Sequence, residues 1–122
     1  MTTTARKHIA LFNVAEAGHL NVGLGLTRKL TSQGHKVSCI VSAVAGDDAL
    51  FALAQKGVEE SGGVFINHYK LDGIDTEEAI CAMNSLPLSP NVRVLACTMK
   101  LCTKATIDWV KANDVDMIIF GH

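Results

Sequence analysis

His19 is the residue of this sequence whose type and position are best suited to chemistry, and it lies in the turn Ala15-Glu-Ala-Gly-His-Leu-Asn21. Histidine has an ordinary pKa of about 6.5, so its ring can take a proton from a hydroxyl group at neutral pH. A general base of this kind needs a partner, usually a carboxylate, that holds the ring in one tautomer. The alternative is a structural histidine near a helix start that only hydrogen-bonds a neighbour.

The segments on either side of His19 predict the elements that position it. His8–Val14 is a short apolar run without polar alternation, which is typical of a parallel strand buried on both faces. Apolar residues then recur at helical spacing from Leu20 to Gln33, and Gly34 stands where a helix-ending glycine belongs. A second strand is predicted at about 36–42. His19 therefore follows the carboxyl end of a strand, where open α/β sheets bind their ligands.

The rest of the chain continues this alternation of strands and helices. Further helices are predicted at about 47–61, 75–84 and 92–112, and further strands at about 64–69 and 115–120, with a proline-marked loop at 85–91. The alternation predicts a single α/β domain over residues 1–122, with a Rossmann-like parallel sheet and helices on both faces. The expected strand order is 3-2-1-4, which places the switch point between the first and fourth strands.

Composition excludes several other classes of protein. The net charge is −1, and one Trp, one Tyr and four Phe are scattered without a basic stripe, so a nucleic-acid partner has no support. No apolar run approaches the roughly 18 residues of a membrane span, and no signal peptide is recognisable, so we expect a cytoplasmic protein without a transmembrane segment. The four cysteines form no CxxC pair and lie at no zinc-ligand spacing, so we expect reduced, buried thiols and no metal site.

Glycines near the start of the first helix match no cofactor motif. Gly18 and Gly23 have P-loop spacing, but Leu24 and Gly25 occupy the positions that require Lys and Ser or Thr. The pair Gly23 and Gly25 lies inside the helix, and Arg28 stands where a dinucleotide fingerprint has its third glycine. Each helical glycine costs about 1 kcal/mol relative to alanine, so we expect close packing of the helix on the sheet to explain both. No bound cofactor is predicted.

Three segments carry a resemblance to a known family: His8-Ile-Ala-Leu-Phe-Asn-Val-Ala-Glu-Ala-Gly-His-Leu-Asn21, Leu24-Gly-Leu-Thr-Arg-Lys-Leu30 and Gly34-His-Lys-Val37. They resemble the start of UDP-sugar-dependent glycosyltransferases of the two-Rossmann-domain (GT-B) type, in which a strand leads into a Gly-His-x-Asn-Pro turn. The strand at Val115–Phe120 also resembles a strand of that family, whereas residues 43–112 agree only in layout. The resemblance implies that this chain is the amino-terminal, acceptor-binding domain.

The resemblance also implies roles for individual residues. His19 would be the general base on the acceptor hydroxyl, and Gly18 and Asn21 would shape the turn around it. The acceptor side is expected to be lined by Leu20, Met83, Leu86 and Leu88. Val22 replaces the usual proline, and Gly121 stands where the family commonly has the aspartate that orients the histidine.

The function expected from this resemblance is transfer of a sugar from a nucleotide-sugar to a hydroxyl of a small lipophilic acceptor. The nucleotide-sugar would be a co-substrate bound mainly by a second domain, which these 122 residues do not contain, so the chain alone is expected to be inactive. It would be a fragment of a larger enzyme, or a half-enzyme completed by a separate donor-binding chain. The alternative is a non-catalytic truncated product or a flavodoxin-like binding module, since the fold alone does not settle function.

Overall fold

One parallel sheet forms the centre of the molecule. The computed structural model describes residues 6–15, 17–43, 47–85 and 102–120. Its strands are β1 (His8–Val14), β2 (Lys36–Ser42), β3 (Val64–Asn67) and β4 (Met117–Phe120). They lie in the order β3-β2-β1-β4, and every neighbouring pair is parallel. The predicted Rossmann-like sheet in the order 3-2-1-4 is therefore confirmed, with β1 and β4 adjacent at the switch point.

The described helices are α1 (Ala17–Ser32), α2 (Asp48–Glu60), α3 (Thr76–Ser85) and α4 (Thr103–Ala112), with a 3₁₀ turn at His68–Lys70. The 3₁₀ turn ends β3 at Asn67, before the predicted limit of 69. The α2 helix begins where predicted, because the Asp47 carboxylate accepts a hydrogen bond from the Leu50 amide. None of the helices in this part of the chain is both long and apolar enough to cross a membrane.

Two helix starts differ from the sequence-based prediction. The α1 helix begins at Ala17, so residues 17–19 form its first turn and do not belong to a preceding turn. The α4 helix begins at Thr103, with Cys102 at its N-cap, so the prediction of one continuous helix from Val92 is wrong at this point. Cys102 is itself buried, so the apolar spacing in the sequence continues past the start of α4. The spacing therefore does not reveal that a helix begins at Thr103. The predicted elements at 86–101 lie outside the described residues.

Both faces of the central strands are covered, as their apolar runs predict. Ile9 and Leu11 of β1 pack in the core on the side of α1 and α2, and Ala10 and Phe12 pack on the opposite side, beneath Trp109 of α4. Burial of each large apolar side chain stabilises the fold by roughly 1.5–3 kcal/mol. This double burial fixes β1 in the middle of the sheet and so fixes where its carboxyl end, and the start of α1, must lie.

The α1 helix ends as its glycine predicts. Gly34 has a φ of +91°, which a residue with a side chain adopts only at a cost. Its amide donates to the Thr31 carbonyl, and the His35 amide donates to the Leu30 carbonyl, which satisfies the last turn of the helix. The chain then enters β2 directly.

Candidate functional site

The candidate site lies at the carboxyl edge of the sheet, where β1 passes into α1. Ala15 joins the two elements, and its amide donates a 2.8 Å hydrogen bond to the carbonyl of Ser42 at the end of β2. This bond holds the exit of β1 against β2 immediately before the helix starts. The backbone of His19 lies in the first turn of that helix. His19 therefore follows the carboxyl end of β1, as the sequence predicted, but its backbone lies inside the helix and not in a turn before it.

The other predicted site residues fall into two groups. Leu20 is buried in the core beneath α1, and Asn21 is exposed on the same turn. Only the backbone of Gly18 is described, in the first turn of α1, and the side chains of His19 and Met83, together with Leu86 and Gly121, lie outside the described residues. The structure thus brings residues 18–21 together on one helical turn. The catalytic role of His19 and the acceptor-binding roles of Gly18, Leu20, Asn21, Met83 and Leu86 stay predictions.

His68 is a residue of this edge that the sequence analysis did not single out. It follows β3 directly, its side chain is 3% exposed, and its ring lies between two hydroxyl groups. The Nδ1 atom is 2.7 Å from Ser42 Oγ, and the Nε2 atom is 2.8 Å from Thr106 Oγ1. The ring therefore links the ends of β2 and β3 to α4. The sequence feature that could have identified His68 is its position as a polar residue directly after a strand that ends at the same edge as β1.

The hydrogen bonds of Thr106 determine which tautomer His68 adopts. The Thr106 hydroxyl donates its only hydrogen to the Cys102 carbonyl at 2.7 Å, so it can only accept from His68. The Nε2 atom of His68 consequently carries the hydrogen, and Nδ1 accepts the Ser42 hydroxyl hydrogen. Burial lowers the pKa of His68 to about 4, which keeps the ring neutral at pH 7.

This arrangement resembles the pairing of a serine nucleophile with a histidine base, but both groups are enclosed. Ser42 is buried, as His68 is, so a substrate cannot reach the hydroxyl. Both ring nitrogens of His68 are also occupied by groups of the protein. The pair is a structural link beneath the site, and nucleophilic chemistry at Ser42 is excluded.

An aromatic surface lies at the switch point between β1 and β4. Phe120 at the end of β4 pairs with Phe12 of β1, and the two rings stack with their centroids 5.3 Å apart. Phe12 is buried and also contacts the ring of His68, whereas 66% of Phe120 is exposed. The carboxyl edge therefore offers an apolar, aromatic patch beside the strand that leads to His19.

Known proteins similar to this chain are glycosyltransferases. It is 35% identical over 72 residues to the NDP-glycosyltransferase YjiC of Bacillus licheniformis, which is 59% of this chain and 16% of that protein. It is 39% identical over 46 residues to the oleandomycin glycosyltransferase of Streptomyces antibioticus, which is 38% of this chain and 11% of that enzyme. The chain therefore spans less than a fifth of the length of the curated relatives it matches. No model of a protein family matches it.

The fold has a counterpart among solved structures. The calicheamicin glycosyltransferase CalG4 superposes with a TM-score of 0.55 at 21% sequence identity, over 96% of this chain and 25% of CalG4. The order of the strands and the candidate site at the carboxyl edge of the sheet define an open α/β domain of the Rossmann-like class. The sequence relatives and the structural neighbour then confirm the resemblance made from the sequence, because the chain matches part of a GT-B glycosyltransferase.

Proposed function

We propose that this chain is the acceptor-binding domain of a glycosyltransferase and that His19 is its general base. The observation that carries the proposal is the position of residue 19 in the first turn of α1, directly after the central strand β1. Ligands of open parallel sheets bind at this edge, next to the switch point. The likeness to curated glycosyltransferases supports a transfer reaction at this place.

In the proposed reaction, this chain carries out one step, the removal of the proton from the acceptor hydroxyl. The ring of His19 takes the proton of an acceptor hydroxyl while the hydroxyl oxygen bonds to the anomeric carbon of the sugar. The bond between that carbon and the phosphate oxygen of the nucleotide-sugar breaks, and the nucleoside diphosphate leaves with the bonding electron pair. A neutral ring is required at the start of the step, because only an unprotonated nitrogen can accept the proton.

The acceptor class follows from the surface next to the site. Phe120 exposes an aromatic face at the switch point, and its ring is supported from below by Phe12. A planar or apolar acceptor gains hydrophobic and stacking energy on such a face, about 0.5–1.5 kcal/mol beyond area burial for an aromatic pair. We therefore propose a small lipophilic alcohol or phenol as the acceptor, with a UDP-sugar as the donor.

The donor half of the reaction needs a second unit. Because the chain spans less than a fifth of the length of the curated glycosyltransferases it matches, we propose that a donor-binding domain or chain completes the enzyme. The direct test joins this chain to the carboxyl-terminal domain of a related glycosyltransferase and measures sugar transfer from UDP-sugars to a panel of phenols and alcohols. We expect transfer by the joined protein and none by the 122-residue chain.

Two results would contradict the proposal. One is turnover of a UDP-sugar by the 122-residue chain alone. The other is a joined protein that folds and binds the UDP-sugar yet transfers sugar to no hydroxyl in the panel. If the second result came with tight binding of a panel compound to the 122-residue chain, the chain would be a binding module.

A further inference from the structure

The α1 helix packs tightly against the sheet at Gly23, one turn after His19. A Cβ atom added at Gly23 would overlap the side-chain amide nitrogen of Asn13 and lie 3.1 Å from its Cγ atom. Asn13 is on β1 and is 5% exposed, and its Oδ1 atom accepts a 3.0 Å hydrogen bond from the Val14 amide, which restrains the side-chain amide. At Gly25, an added Cβ would have no atom within 4 Å. The close packing expected for both glycines therefore holds for Gly23 alone.

The next turn of α1 is fixed to the sheet by a different contact. The Thr27 hydroxyl donates a 2.7 Å hydrogen bond to the Gly23 carbonyl, and the Cys39 sulfur of β2 lies 3.2 Å from the same hydroxyl. Because the Thr27 hydroxyl gives its one hydrogen to the Gly23 carbonyl, the Cys39 thiol is the donor to Thr27. Burial raises the pKa of this thiol. Gly63 closes over Thr27 from the other side, where an added Cβ would lie 2.9 Å from Thr27 Cγ2.

These two contacts make the first turn of α1 sensitive to what stands at position 23. Because Thr27 is enclosed, we expect that the helix does not lift from the sheet as a whole when position 23 is enlarged. The expected displacement is a tilt of the helix about Thr27, in which the turn before Gly23 moves. That turn contains residue 19.

We propose that Asn13 and Gly23 are a positioning pair that sets how deeply the first turn of α1 sits at the carboxyl edge, and thereby where His19 stands. The inference rests on the proposed function, in which His19 takes a proton from the acceptor. Both residues of the pair are buried. The absence of a side chain at Gly23 and the amide of Asn13 together set the position of the helical turn that carries residue 19, and small misplacements of a catalytic group cost much of its effect.

The test compares Gly23→Ala, the matched control Gly25→Ala, and the double variant Asn13→Ala with Gly23→Ala in the 122-residue chain. Residual dipolar couplings of the amides of residues 17–22, measured against those of the strands, report the tilt of the first turn. We expect a changed orientation in Gly23→Ala, the wild-type orientation in Gly25→Ala, and recovery in the double variant, where removal of the Asn13 amide leaves room for the new Cβ.

A wild-type orientation of the first turn in Gly23→Ala overturns the proposal. If that variant does not fold, the double variant decides: native orientation supports the pair, and failure to fold while Asn13→Ala alone folds refutes it. In the protein completed by a donor domain, Gly23→Ala should lower kcat about 10–100-fold with little change in acceptor KM. If Gly23→Ala tilts the first turn but the wild-type joined protein transfers no sugar, the proposed function is refuted. The positioning pair would still be supported.

Discussion

The two edges of the sheet each hold a histidine between a serine of β2 and helix α4, but in opposite tautomers. At the amino edge, His8 Nδ1 is 2.8 Å from the Asn113 carbonyl and Nε2 is 2.7 Å from Ser38 Oγ. A carbonyl can only accept, so Nδ1 carries the hydrogen and Ser38 donates to Nε2. At the carboxyl edge, Nε2 of His68 carries the hydrogen and Ser42 donates to Nδ1. Both serines donate, and α4 is held at both ends.

The two edges differ in how deeply their histidine side chains are buried. His8 is partly exposed, whereas His68 is enclosed by the ends of β2 and β3, the start of α4 and the ring of Phe12. Ser42 binds His68 through its hydroxyl and the Ala15 amide through its carbonyl, so one residue supports both α4 and the entry to α1. The carboxyl edge thus contains buried polar links, and one of their members, Ser42, also binds the residue that follows β1.

The largest expected effect is on the pH dependence of stability. The pKa of His68 is about 4 in the folded chain against an ordinary value of 6.5, so the unfolded chain takes up the proton first as the pH falls. The stabilisation is complete above about pH 6.5 and is lost as the pH falls to about 4, with a total of about 3 kcal/mol. Urea unfolding between pH 7.5 and 4 measures it.

Two variants isolate this effect from the titration of carboxylates. His68→Gln should lose the part of the pH dependence that belongs to the buried ring, whereas His8→Gln should keep it. Equal pH dependence in the wild-type chain and His68→Gln would show that the buried histidine does not control acid stability.

The second comparison removes one serine at each edge. Ser42→Ala leaves the Nδ1 acceptor of a buried ring without a donor, at a cost of about 1–3 kcal/mol in the free energy of unfolding. Ser38→Ala should cost less, about 1 kcal/mol, because the ring of His8 is partly exposed, although Ser38 itself is buried. Denaturant unfolding of both variants at pH 7 gives the two values. A larger loss in Ser38→Ala would reverse the proposed contrast between the edges.

The fold was predictable from local patterns, and the carboxyl edge only in part. Short apolar runs mark the strands, Gly34 marks the end of α1, and the position of His19 follows from its place after the first strand. The link through His68 was not predictable, because its partners Ser42 and Thr106 are 26 and 38 residues away in sequence. The link depends on where along the strands α4 packs against the sheet. The spacing of residues within one helix or strand does not determine that position.

A smaller effect is expected on acceptor binding at the exposed aromatic face. Phe120→Ala removes the stacking surface at the carboxyl end of β4 and should raise the KM for a phenolic acceptor about 2–10-fold in the completed protein, for a loss of about 0.5–1.5 kcal/mol. Met117→Ala is the matched control, because Met117 is exposed on the same strand but at its amino end. Equal KM changes in the two variants would argue against an acceptor at the carboxyl edge.

The most direct test of the catalytic role is the turnover of His19→Ala in the protein completed by a donor domain, measured beside His35→Ala. His35 is a histidine of the amino edge whose Nδ1 accepts from the Lys7 amide. We predict that His19→Ala lowers turnover about 10²–10⁴-fold, with acceptor binding and the free energy of unfolding little changed, and that His35→Ala keeps wild-type turnover. Undiminished turnover in His19→Ala, or loss of the folded domain, would contradict the assignment of His19 as the general base.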